Sequence, residues 1–245
     1  MPTDRRKLMI NRAPIVLAVD TSDLATAISW VKATEDVVSV YKLGLEFYLT
    51  FGSEGVNAIK QTTNSDIFLD LKLHDIENTV SGAARAVSSL RPKYLTVHAS
   101  GGAGMIHAAV DALPSTFVTA VTVLTSLSES DVESIGFRDS ALDSAVRLAS
   151  LASNAGARAI VCSPLEILAI RQAVGSAVTI ITPGVRPADT AHSDDQARTM
   201  TPREAIDRGA DLVVIGRPIT MHWQHGAQAM RERAIEIAQQ INSVH

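Results

Sequence analysis

Cysteine is almost absent from this chain. Cys162 stands alone among 245 residues, so no intrachain disulfide can form and no cysteine cage for zinc can be built. That scarcity suits a reducing compartment. No run of about 18 apolar residues occurs, so no transmembrane helix is expected. The opening stretch MPTDRRKLMINR carries charges but no apolar leader core, so no signal peptide is expected and a cytoplasmic protein is the reading. An excess of positive charge is missing as well. The net charge of −4 argues against a nucleic-acid or membrane partner, while leaving room for a local cationic pocket. No low-complexity linker divides the chain.

Short apolar runs are what the chain has in quantity. IVLAVD (15–20), VVSVYKLG (37–44), DIFLDLKL (66–73), YLTVHAS (94–100), FVTAVTVLT (117–125), AIVCS (159–163), TIITPGV (179–185) and LVVIGRP (212–218) are rich in Val, Ile, Leu and Thr. Strands buried on both faces of a parallel sheet have this character. Between them lie helix-like segments. SPLEILAIRQAV offers Ser163 as N-cap, Pro164 at the first helical position and Glu166 at the capping-box position. Thr201, Pro202 and Glu204 repeat the scheme, and 227–242 reads as an amphipathic closing helix. Eight strand–helix alternations point to an α/β fold, a single-domain (β/α)8 TIM barrel of about 250 residues, with a doubly wound open sheet as the alternative. The barrel would occupy residues 13–245, preceded by a flexible extension, 1–12.

Barrel chemistry sits at the C-terminal ends of strands. Those ends carry Asp20, Lys42, Asp70 with Lys72, His98, Thr125 with Ser126, Arg186 and Arg217. In FLDLKLHDIENT (68–79), strand alternation puts Asp70 and Lys72 on one face, and Asp75 follows where a turn begins. Lys72 is then expected between two carboxylates, an arrangement that aims a general acid; a structural ion-pair network is the competing reading. At an effective dielectric of about 20, a unit pair about 4 Å apart interacts by about 4 kcal/mol. TPGVRP (182–187) and IGRP (215–218) follow strands seven and eight, where barrels often bind phosphate, with Gly216 permitting close approach and Arg217 and Arg186 as cations. The long polar segment 186–200 reads as a lid or as a solvated loop. His98 reads as a hydrogen-bonded core histidine, His74 as a support for the turn, Cys162 as packing and GGAG (101–104) as a βα turn. His222 and His225 have no carboxylate at ligand spacing and read as a surface pair.

Taken together, DLKLHDIENT, LAVD, YKLGLEF, VHASGG, VTVLTS, TPGVRP, DDQARTMTP and VIGRP resemble the orotidine 5′-phosphate decarboxylase family in its bacterial short-chain form, over nearly the whole chain. The resemblance implies decarboxylation of orotidine 5′-monophosphate to uridine 5′-monophosphate and CO2, the last step of de novo UMP synthesis, with no metal and no organic cofactor. It implies Lys72 as the proton donor to C6, Asp70 against the substrate carboxylate, and Asp75 supplied across a homodimer interface. Lys42 and Asp20 would contact the ribose, Thr79 the substrate, and Thr125 the pyrimidine region. Gln196, Arg186, Gly216 and Arg217 match the phosphate positions. Glu77 departs from the family's usual Pro or Gly, which leaves the rigidity of the turn near Asp75 as the affected property.

Two rivals remain. The hexulose-phosphate synthases and ketogulonate-phosphate decarboxylases resemble this barrel and bind magnesium through an acid on strand two. Here Lys42 stands on strand two, where it would repel a divalent cation. A barrel that binds nucleotide without turnover is the other.

Overall fold

The computed structural model describes residues 12–187, 189 and 200–243. Of the expected extension 1–12, only Arg12 falls among them. The strands are β1 Ala13–Ala18, β2 Val38–Gly44, β3 Asp66–Leu73, β4 Tyr94–His98, β5 Phe117–Val121, β6 Ala159–Val161, β7 Thr179–Thr182 and β8 Leu212–Ile215. They pair in chain order, all parallel, and β1 closes on β8 through Ile15↔Val213 and Leu17↔Ile215. The result is a (β/α)8 barrel, and the open-sheet alternative falls.

The helices are α1 Leu24–Thr34, α2 Leu45–Lys60, α3 Glu77–Val87, α4 Gly102–Ala112, α5 Glu129–Ser134, α6 Ala141–Asn154, α7 Ile167–Val174, α8 Pro202–Asp207, α9 Arg217–Thr220 and α10 Ala227–Asn242. Among the described residues, no helix is long and apolar enough to cross a membrane. Side chains alternate across each strand, which is why the apolar runs are continuous. Val16, Val40, Phe68, Tyr94, Ala159, Ile181 and Leu212 fill the barrel interior. Their neighbours Ile15, Leu17, Tyr41, Leu43, Leu69 and Leu95 pack outward against the helices. Tyr94 meets Phe68 and Phe117 edge to face, each at 5.6 Å between centroids. Lys93 and Arg158 lie over the Phe117 ring at 4.1 and 4.4 Å. Tyr94 and Phe117 open their strands, so this aromatic stack plugs the N-terminal end and leaves the opposite end as the mouth.

Local signals place every strand, although most apolar runs extend two to four residues past the end of the sheet, and two departures bear on the mouth. Thr201 caps α8 with a complete box to Glu204 and Pro202 in the first turn, as expected. At the other predicted box the helix begins later: Ser163 to Glu166 form a turn, closed by Glu166 N–H to the Ser163 carbonyl at 3.0 Å, and α7 starts at Ile167. Half the box survives, since the Ser163 N–H donates to the Glu166 carboxylate at 2.9 Å. The second departure is β5, which ends at Val121. Thr122 then donates both its N–H and its hydroxyl to the Val161 carbonyl, and residues 123–125 beyond it line the mouth.

Candidate active site

Three neighbouring strands deliver an alternating row of charge to the mouth. Lys72 donates to both oxygens of Asp70, at 2.8 and 2.9 Å. Lys42 Nζ lies 3.5 Å from Asp70 Oδ2 and 3.3 Å from Asp20 Oδ1. The order in space is Asp20, Lys42, Asp70, Lys72, with Lys42 and Asp70 more buried than Asp20 and Lys72 on either side. Burial opposes the charge of Asp70, yet Lys42, Lys72 and the Thr96 hydroxyl outweigh it and hold its carboxyl below the usual carboxylate value. Gly44, one residue pair beyond Lys42, keeps this row open: a Cβ there would stand 3.2 Å from Lys42 Nζ and 3.5 Å from Asp20 Oδ1.

The backbone beneath the row is irregular. Leu69 pairs with Leu95 and Leu73 with Val97, so four steps along β3 match two along β4. This slip contains Asp70 and Lys72, and bulges of this kind re-aim side chains beside functional sites. Lys72 takes the left-handed conformation at φ 47°, a costly one for a residue with a Cβ. Its N–H, turned out of the ladder, donates to Thr96 Oγ1 at 2.8 Å, and the same hydroxyl donates to Asp70 Oδ1 at 3.0 Å.

Lys42, Asp70 and Lys72 form one wall of a cavity of about 210 Å³. Phe68, Val121, Val123, Leu124, Val161, Pro183 and Val214 supply an apolar floor and far wall, and Thr125 joins them at the rim. A flat, mostly apolar ring could lie against the aliphatic side with one edge facing the charges.

Beyond Pro183, Gly184 turns with φ 81° and leads to Arg186, whose N–H donates to the Met200 carbonyl. Val185 bridges Met200, so the two ends of the 186–200 segment are pinned together at the mouth. Gln196 and most of the proposed lid lie outside the described residues. Across the mouth, β8 runs into Gly216 and then Arg217, the first residue of α9; Arg217 is exposed, and its guanidinium makes no hydrogen bond or ion pair among the described residues. A Cβ on Gly216 would press on Ala18 at 3.3 Å, which explains glycine there.

A family model described as Orotidine 5'-phosphate decarboxylase / HUMPS family matches residues 13–232, nearly all of the barrel. The chain belongs to this family. It is 54% identical over 217 residues to the orotidine 5'-phosphate decarboxylase of Thermobifida fusca, covering 89% of this chain and 93% of that one. It is 47% identical over 226 residues to the Frankia casuarinae protein of the same name, covering 85% and 82%. The crystal structure of orotidine 5'-phosphate decarboxylase from Lactobacillus acidophilus superposes with a TM-score of 0.79 at 31% identity, covering 94% of this chain and all of that one.

Against the expectation drawn from the stretch 68–79, Asp75 does not face Lys72 within the chain. Asp75 is exposed, and its Oδ1 accepts the N–H of Ile76 at 2.7 Å. Thr79 is exposed on the first turn of α3. Glu77 opens that helix, as its charge favours, and its carboxylate folds over Gly104 of α4, where a Cβ would come within 2.0 Å of Oε1. The His98 ring has no hydrogen bond among the described residues; it packs on His74 at 5.4 Å, and burial, with His74 and Lys72 adding, lowers its pKa. Cys162 is buried in the packing with its thiol pushed up to about 12 by burial, as an inert core cysteine should be. The residue that sequence reading passed over is Thr96. Threonine is ordinary in strands, and the only signal was a hydroxyl at a fully buried position two residues before His98.

Proposed function

We propose that this protein decarboxylates orotidine 5′-monophosphate to uridine 5′-monophosphate and CO2, as the names of its relatives suggest, and that it does so in the cytoplasm. The observation that carries the reading is the bidentate tether of Lys72 to Asp70, with Lys42 behind it, on the wall of a cavity otherwise lined by apolar side chains. The pyrimidine would lie against Val121, Val123 and Pro183 with its C6 carboxylate toward Asp70. As the C6–carboxylate bond breaks and CO2 departs, the electron pair stays on C6. The Lys72 ammonium stands where that charge develops, already oriented, and passes its proton to C6. Solvent then restores the proton on Lys72. The carboxylate of Asp70 would repel that of the substrate and so weaken the ground state. Lys42 and Asp20 would hold the ribose, and Thr125 the pyrimidine edge.

Phosphate would sit between Arg186, Gly216 and Arg217, with Gln196 from the segment 186–200. Binding energy there, far from C6, would order the charged row. No metal or organic cofactor enters the reading, and Lys42 on β2 is a poor neighbour for magnesium. A homodimer completes it: Asp75 and Thr79, exposed in one chain, would enter the partner's site. Exposed Leu45, Leu49 and Ile76 on the segments after β2 and β3 supply apolar surface for that interface.

The test is the ultraviolet spectrum of orotidine 5′-monophosphate mixed with the purified protein in excess chelator. Conversion to the uridine 5′-monophosphate spectrum is expected, with Lys72→Ala slower by about 10²–10⁴-fold. An unchanged spectrum, with magnesium-dependent turnover of a sugar phosphate instead, would overturn it.

A further inference from the structure

We infer that Thr96 is a positioning residue that sets Lys72 and Asp70 for the reaction through a single hydroxyl. The inference rests on the reading of Lys72 as proton donor. Thr96 lies on β4 between Tyr94, which plugs the barrel floor, and His98 at the rim, and it is fully buried. Its oxygen accepts the Lys72 N–H at 2.8 Å and its proton goes to Asp70 Oδ1 at 3.0 Å. The other end of Lys72 closes on the same carboxylate. Hydroxyl, carboxylate, ammonium and backbone N–H therefore form one closed ring of hydrogen bonds around a lysine held at φ 47°.

Each part of the ring depends on the hydroxyl. Without it the Lys72 N–H has lost its place in the β3–β4 ladder and gains no other acceptor, so the left-handed turn has no compensation. Asp70 Oδ1 then keeps only Lys72, and the carboxylate, held by the two lysines alone, loses its tie to β4. A shift of about 1 Å in a reacting group can cost on the order of 100-fold in rate. Packing alone does not explain a threonine here, because valine would fill the same volume.

The charged and titratable groups facing Asp70 are Lys42 and, through it, Asp20 on the β1–β2 side, Lys72 on its own strand, and His98 with His74 on the β4 side. Thr96 is one of the contacts that keep Asp70 ionised, so its removal moves the protonation of Asp70 to higher pH.

The experiment compares Thr96→Val, Thr96→Ala and Thr96→Ser with the unaltered protein and Lys72→Ala, measuring kcat and KM for orotidine 5′-monophosphate from about pH 3 to 8, so that the acid limb set by Asp70 falls within the scan. Both variants without the hydroxyl should lose about 10- to 100-fold in kcat, with KM changed less than about threefold. Their acid limb should move to higher pH, and Thr96→Ser should restore most of the rate. The alanine variant carries the measurement if valine does not fold. A purely structural threonine would lower the melting temperature and leave the limb in place. Thr96→Val or Thr96→Ala at the unaltered kcat and acid limb, with Lys72→Ala inactive, overturns the role of Thr96 alone. An active Lys72→Ala overturns the donor reading and this inference with it.

Discussion

Glu166 should make the barrel less stable as the pH rises from about 4.5 to about 7. It sits in the turn after β6, 6% exposed, with the Ser163 N–H as its hydrogen-bond donor and no cation paired to it among the described residues. Burial, with Glu129 adding, pushes its carboxyl up to about 7 from an ordinary 4.5. A raised carboxyl is protonated in the folded chain and ionised in the unfolded chain between those two values. The folded state binds the extra proton there, so stability falls as pH rises from about 4.5 to about 7 and is flat above. At 1.36 kcal/mol for each pKa unit, the gap corresponds to about 3 kcal/mol, an upper figure because water can reach the turn as the charge forms. Glu166→Gln keeps an oxygen for the Ser163 N–H and removes the titration. The variant should match the unaltered protein near pH 4.5 and exceed it at pH 8. For a chain of this length the gain is about 6–12 °C in melting temperature. Thermal melts of both proteins across pH 4.5–8.5 at fixed ionic strength give the difference directly, since all other titrations cancel. Two parallel curves would refute the reasoning. Glu166 does not line the cavity, so kcat should be unaffected.

Two further substitutions test the site's surroundings. Gly44→Ala should lower kcat several-fold, on the order of tenfold, with little change in melting temperature, because its Cβ would stand 3.2 Å from Lys42 Nζ while its φ of −85° strains no side chain; a fully active variant would show that Lys42 need not hold its place. Glu77→Pro should stabilise by about 0.4–1 kcal/mol, read from denaturant midpoints. Ile76 already has φ −62° and ψ 157°, the conformation that precedes proline, and Glu77 is the first residue of α3, where a missing N–H costs nothing. A loss of stability would show that the carboxylate resting over Gly104 matters more than the stiffness of the turn.

The elements that sequence located to the residue are those whose signal is local. β3 is bounded by its own hydrophobic run, and α10 occupies 227–242 because one apolar stripe runs its whole length. α8 begins where Thr201, Pro202 and Glu204 say it should. The overextended β5 failed for a different reason. Residues 122–125, Thr-Val-Leu-Thr, have the composition of a strand, but 123–125 follow the cavity wall, and composition does not tell a sheet from a pocket lining. Likewise a capping-box pattern at Ser163 gave only half a box, because the chain must first turn off β6.

The charged row shows the same division more sharply. Which residues carry charge at the strand ends was legible, and Lys42, Asp70 and Lys72 do share one wall. How Lys72 reaches Asp70 was not. Simple alternation would leave their Cα atoms about 6.6 Å apart along a straight strand, with both side chains parallel. Instead the slip against β4 and the left-handed Lys72 bend the chain so that the ammonium returns to both carboxylate oxygens. A conformation of that kind costs about 1–3 kcal/mol. It persists because a residue 24 positions away supplies the acceptor its N–H would otherwise lack. A period-2 pattern on one strand contains no information about a hydroxyl on the next. The placement of Asp70 and Lys72 in FLDLKLHDIENT therefore marks the candidate site, while the register of β3 against β4 decides its geometry.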